Sequence, residues 1–299
     1  MLFLIDDMFD FLELINLSKE DKNYYISAVS FVMGNGAAFD ILKECVNIYK
    51  KDKNFDYFSC LSAFKNAAKG TGLHEFTLSA VFVMALFDAM RGYYEKEGIP
   101  VEVFKDTIAD LKYKTEECKC VYGIVGTFAE RWYARFFTLN IFALGRLQFE
   151  IKKFNGNYEK SGYKLVNGDI VIGVHIPRTG APLDYFEVKK SYKKASEFFK
   201  GYFRGGVTPF LCESWLLFEK HAEMLGKTSN IMKFSADYDV FEYGLYEDYG
   251  EVWRLFDCKF NGDPSALPSD SSLRRGYIEL MRRGEKTGYG RGVYLYENK

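Results

Sequence analysis

Two apolar stretches each carry one residue able to move a proton. In GDIVIGVHIP (168–177), Val171, Gly173 and His175 alternate with Ile170, Ile172, Val174 and Ile176. In PFLCESWLL (209–217), Leu211, Glu213, Trp215 and Leu217 alternate with Phe210, Cys212, Ser214 and Leu216. A period of two predicts strands, with each set on its own face. Glu213 inside an apolar strand needs a reason, because a buried carboxylate is costly unless paired. Burial also raises its pKa toward the range useful for proton transfer. Glu213 is therefore the expected general base. His175 is its expected companion, holding a water or the second reactant. The alternatives are a structural Glu paired with an Arg and a hydrogen-bonded core His.

Between these strands, Arg178-Thr179-Gly180-Ala181-Pro182-Leu183 leads from the first strand into a predicted helix over 184–202. On that helix Val188, Tyr192, Ala195, Phe199 and Tyr202 recur at helical spacing. A loop entering a helix offers backbone N–H groups and the positive end of the helix dipole, which suit a phosphate. Gly180 permits close approach, Thr179 offers a hydroxyl and Arg178 a charge-assisted contact. The alternative is a plain strand–helix connection. Asp184, with Glu187 three residues on, resembles a capping box and would compete for the same amides. The glycines of GEKTGYGRGVYLY (284–296) lack the strand-then-helix context of a nucleotide loop. They predict a hairpin and a final strand.

The elements that must position these residues change character along the chain. Over the first 130 residues, Phe76, Ala80, Val83, Phe87, Met90 and Tyr94 recur at helical spacing. So do Phe39, Leu42, Val46 and Tyr49, then Leu61, Phe64 and Ala68, then Phe104, Ile108 and Leu111. Ser18 is placed as an N-cap. This predicts a helical domain over 1–130. From 131 to 299, strands are expected over 141–154 (with a bulge at Gly145), 168–177, 209–217, 240–246 and 252–256, and helices over 184–202, 219–227 and 271–283. That order implies a mixed sheet with at least one parallel pair. The first segment carries a net charge of −6 and the second +5. A basic second domain suits an anionic ligand.

The 299 residues have a net charge of −1, which argues against a nucleic-acid binder. The start, MLFLIDDMFDF, lacks the basic region of a signal peptide. The longest obvious apolar run, Ala80–Phe87, is far short of the ~18 residues of a membrane span. A cytoplasmic protein with no membrane partner is expected. Six cysteines without zinc spacing and three separated histidines predict reduced thiols and no metal site.

Taken in order, FFTLNIFALGRLQFE (136–150), GDIVIGVHIPRTGAPLD (168–184), FLCESWLL (210–217) and SDSSLRRGYIELMRRG (269–284) resemble the bacterial two-domain acyltransferases with a helical N-terminal domain and a GNAT-like C-terminal domain. The resemblance implies an α+β fold in which two parallel strands, here 169–176 and 209–217, splay apart to admit acyl-CoA. It implies a pyrophosphate loop over 178–183, with Arg178, Thr179, Gly180 and Ala181 as cofactor contacts. The glycine there is displaced from the usual loop pattern, and Pro182 removes a donor. It also implies that backbone around Gly173, Val174 and His175 binds the thioester oxygen. The reaction implied is direct N-acyl transfer to a small-molecule or peptide amine, with Glu213 or His175 as base and no metal. Cys212 with His175 offers a covalent route from the opposite strand face. The alternative is a non-catalytic ligand-binding or interaction protein that keeps the fold.

Overall fold

The computed structural model describes residues 2–203 and 206–297. It divides into two compact units, Met1–Ala143 and Leu144–Lys299. The division comes later than residue 130 because the helix Glu130–Phe137 (α8) belongs with the helices before it. Its Tyr133 and Phe137 rings pack on Phe87.

Up to Phe137 the regular elements of the first unit, among the described residues, are helices: α1 (Leu2–Leu14), α2 (Lys19–Gly34), α3 (Gly36–Lys51), α4 (Tyr57–Ala67), α5 (Glu75–Lys96), α6 (Val101–Ile108), α7 (Asp110–Tyr122) and α8. Ser18 caps α2, its hydroxyl accepting from the Asp21 amide. The Phe104–Ile108–Leu111 stripe runs across the break at Ala109 between α6 and α7, and all three residues are buried. By length and composition α5 could cross a membrane, unlike the shorter run read from sequence. Its residues Ala80 to Phe87 are all buried in the unit, the signature of a core helix.

The second unit is built on a sheet. The strands are β1 (Ile141–Leu144), on which the chain passes between units, β2 (Leu147–Lys153), β3 (Tyr158–Lys160), β4 (Tyr163–Leu165), β5 (Ile170–His175), β6 (Val207–Ser214), β7 (Asp239–Leu245) and β8 (Gly288–Glu297). The main sheet has the order β1-β2-β5-β6-β8-β7, and β3–β4 form a separate hairpin. β5 and β6 are parallel; the β2–β5, β6–β8 and β7–β8 pairs are antiparallel. Helix α9 (Tyr185–Phe198) bridges the parallel pair and lays Tyr192 against Phe149 and Phe210 on one face. On the other face Phe154, Tyr158 and Leu165 bury Val171, Leu211 and Val293. Short helices α10 (His221–Met224), α11 (Asn230–Ser235) and α12 (Trp253–Phe256) and the longer α13 (Ser272–Arg282) complete the unit.

Several elements depart from the sequence expectation. Gly145 is not a bulge. It turns β1 into β2 with φ +85°, and a Cβ there would lie 2.7 Å from Ser191 Oγ, so only glycine fits. The predicted strand over 252–256 is helical, since five residues alternate equally well in either form. The 209–217 strand ends at Ser214, and Trp215–Leu217 turn in a 3₁₀ helix, which takes Trp215 off the Glu213 face. In the 284–296 tail the chain from Gly288 onward is one long strand between β6 and β7, not a hairpin. Gly288, Gly290 and Gly292 admit the Gly244 carbonyl, the Leu217 carbonyl and the Tyr238–Asp239 chain at distances no Cβ tolerates easily.

Candidate active site where two parallel strands part

β5 and β6 are joined only at Ile172–Phe210 and Gly173–Leu211. Beyond these, Val174 and His175 pair with Phe149 and Gln148 of β2, while Cys212, Glu213 and Ser214 pair with Gly292, Arg291 and Gly290 of β8. The ladder between the two parallel strands thus stops short of their C-terminal ends, as it does of their N-terminal ends, and we read the strands as parting toward the C-terminal side. That is the end of an open α/β sheet where ligands bind, and parted backbone groups can be satisfied by an inserted ligand.

His175 stands at the end of β5, its side chain 28% exposed. Its Nε2 lies 2.8 Å from Oε2 of Glu150. Glu150 is buried on β2, directly across from Gly173, and shares the face of His175. A buried carboxylate beside an imidazole holds the ring in one orientation and stabilises the imidazolium formed when the ring takes a proton. Glu150 was missed from sequence. The signal was there, since Gln148, Glu150 and Lys152 alternate with Leu147, Phe149 and Ile151. Only the β2–β5 register brings it to His175.

Glu213 does not meet its expectation of burial. Its side chain is 55% exposed and lies 3.8 Å from Nε of Arg291, its neighbour across β6–β8. The paired-Glu alternative describes it. Arg291 is the more buried partner, 2.9 Å from Glu242, donating to the Asn155 carbonyl at 2.5 Å and seated over the Phe154 and Phe241 rings. Gly173 is buried, and the position its Cβ would take lies 2.6 Å from Cδ of Lys152, so the glycine makes room for that stem. Val174 is buried on the opposite face. Burial pushes the Cys212 thiol up to about 12, against the thiolate that a covalent route requires.

The loop after β5 is held by three side chains. Arg178 pairs with Asp257 at 2.6 Å, and Asp257 in turn pairs with Arg274 at 2.8 Å. The Asp184 carboxylate caps α9, accepting from the amides of Phe186 and Glu187 at 3.0 and 3.1 Å. Arg146, from the β1–β2 turn, donates to the carbonyls of Pro177, Ala181 and Pro182 at 2.9, 3.3 and 3.4 Å. Its own amide donates to Ser191 Oγ at 2.7 Å. Thr179 Oγ1 accepts from the Ala181 amide at 3.3 Å, and Gly180 turns the exposed tip with φ +76°. The loop is thus held by protein contacts from Arg146 and Asp257 outside it and by its own Thr179 and Asp184. Its expected anion contacts Arg178, Thr179, Gly180 and Ala181 lie at the edge where β5 ends, next to His175. Among the described residues no group of three His, Cys, Asp or Glu side chains is placed to hold a metal ion.

Residues 6–139 match the N-acyltransferase N-terminal domain and residues 141–294 the GNAT-like C-terminal domain. The chain is similar to the crystal structure of an acyltransferase in complex with decanoyl-CoA and teicoplanin. The TM-score is 0.76 at 20% identity, over 96% of this chain and 86% of that one. An acyltransferase mutant in complex with octanoyl-CoA gives 0.75 at 21% identity, over 95% and 86%. An acyltransferase with CoA and 10C-teicoplanin gives 0.75 at 20%, over 97% and 87%. No curated protein matches the chain.

Proposed function

The chain belongs to the two-domain N-acyltransferase family, an N-acyltransferase N-terminal domain followed by a GNAT-like C-terminal domain, and from that premise we propose that it transfers an acyl group from acyl-CoA to an amine with His175 as general base. The observation that carries the proposal is the hydrogen bond between His175 and buried Glu150 at the edge where β5 and β6 part. The thioester lies between the parted strands in this reading. The amine nitrogen attacks the thioester carbonyl, the carbon–sulfur bond breaks, and coenzyme A leaves as thiolate. His175 takes the proton that the nitrogen sheds and passes it on to the thiolate, so that coenzyme A is released as the thiol and the imidazole is restored. Glu150 steadies the imidazolium in between. Backbone from Gly173 to His175 receives the charge developing on the thioester oxygen. The acceptor is an amine of a small molecule or peptide. The structures similar to this chain hold acyl-CoA or CoA, and two of them also hold teicoplanin or its 10C form, which supports that class of acceptor.

The test is release of free CoA thiol from octanoyl- and decanoyl-CoA in the presence of amine acceptors. His175→Ala and Glu150→Gln are expected to lower turnover by about 10²- to 10⁴-fold, the usual contribution of a positioned base. Wild-type turnover in both variants rejects the assignment. The non-catalytic reading has one observation in its favour: Arg178 and two α9 amides are already engaged by Asp257 and Asp184. It predicts that CoA leaves the melting temperature unchanged and that no acceptor releases thiol.

A further inference from the structure

We propose that Arg146 is the positioning residue of the 177–183 loop, turning the loop's amides toward the phosphates of CoA. The inference rests on the acyl-CoA reading above. Arg146 leaves the β1–β2 turn with its backbone fixed, since its amide donates to the buried Ser191 Oγ and the preceding Gly145 closes against that same hydroxyl. From there one planar guanidinium reaches three carbonyls, those of Pro177, Ala181 and Pro182. Five donors in a rigid fork suit this task, and a lysine ammonium does not reproduce it.

The consequence for the loop follows from peptide geometry. In a trans peptide the carbonyl and the N–H of the next residue point in opposite directions. Drawing the Pro177 and Pro182 carbonyls to Arg146 turns the amides of Arg178 and Leu183 away from it. The Ala181 carbonyl precedes Pro182, which has no N–H, so no donor is spent on that peptide. The amides of Arg178 and Leu183 then face the side opposite Arg146, one on either flank of the Gly180 turn, while those of Thr179 and Ala181 bond within the loop, to the Pro177 carbonyl and to Thr179 Oγ1. Three of its carbonyls, which would repel an anion, are gathered on the guanidinium. This offers an answer to the departure of this loop from the usual glycine pattern. An arginine outside the loop imposes the conformation that glycines allow elsewhere. Arg178, paired with Asp257, serves to anchor the loop's first residue.

The experiment is calorimetric titration of the full chain with CoA, for wild type, Arg146→Ala and Arg146→Lys, each checked by its melting curve. The expected result is CoA affinity at least about tenfold weaker in Arg146→Ala, the scale of one lost charge-assisted contact. Arg146→Lys is expected to recover only part of it. A wild-type protein that does not bind CoA overturns the acyl-CoA reading, and this inference with it. A wild type that binds, with Arg146→Ala binding equally well, overturns this inference alone. So does full recovery by lysine, since charge without the fork would then suffice. If Arg146→Ala does not fold, the lysine variant decides: affinity equal to wild type rejects the role, and weakened affinity in a folded protein supports it.

Discussion

His221 sets a pH limit on the second unit that can be worked from the structure. The residue begins α10 and is 2% exposed. Its Nε2 lies 2.8 Å from the Tyr277 hydroxyl, and the Trp215 and Phe218 rings flank it edge-on. Burial lowers its pKa from 6.5 to about 4, against a smaller opposing effect of the Leu216 backbone. The unfolded chain binds this proton more readily than the folded one. The stability at stake is therefore whole above about pH 6.5 and is lost as pH falls toward 4. The full span corresponds to about 3 kcal/mol, of which about 2 kcal/mol falls between pH 7 and pH 5. His221→Gln removes the titration while keeping a partner for Tyr277. Urea unfolding at pH 7 and pH 5 should show wild type losing about 2 kcal/mol more than the variant. Equal losses in the two proteins would refute the reasoning, because they would mean that His221 is already protonated, or reaches water, in the fold.

Glu213→Gln should leave turnover within about threefold of wild type, since the side chain is mostly in solvent, while Glu150→Gln falls by at least about a hundredfold; the thiol-release assay separates the two. Gly290→Ala places a Cβ 2.5 Å from the Leu217 carbonyl and should cost on the order of 1–3 kcal/mol in urea unfolding, whereas unchanged stability would mean that β8 shifts freely. Asp184→Ala removes the α9 cap and should cost about 1 kcal/mol, read in the same experiment. Cys212, held at about 12 by burial, should not react with iodoacetamide in the native protein at pH 8, and prompt alkylation of that residue would show that it is not enclosed.

What the sequence determined by itself is local. Periods of 3.6 and 2 are properties of consecutive residues. Thus the stripe from Phe76 to Tyr94 reads as α5, Ser18 as a cap, and the alternation around Gly173 and His175 as β5 with the faces the structure shows. The order of strand, loop, helix and strand also implied one parallel pair, and β5 and β6 are that pair. Tertiary structure decided what depends on which strand lies beside which. Alternation gives Glu150 and Glu213 the same standing, each a carboxylate among apolar neighbours. One is buried against His175 because β2 runs antiparallel to β5 at the register Gln148–His175. The other is mostly in solvent, where β8 inserts beside β6 and sets Arg291 across from it. Arg146 shows the same limit, since nothing within its own turn says that its guanidinium will close on carbonyls from Pro177 to Pro182. Register and loop docking are set by packing between distant segments, and a local period carries no information about them.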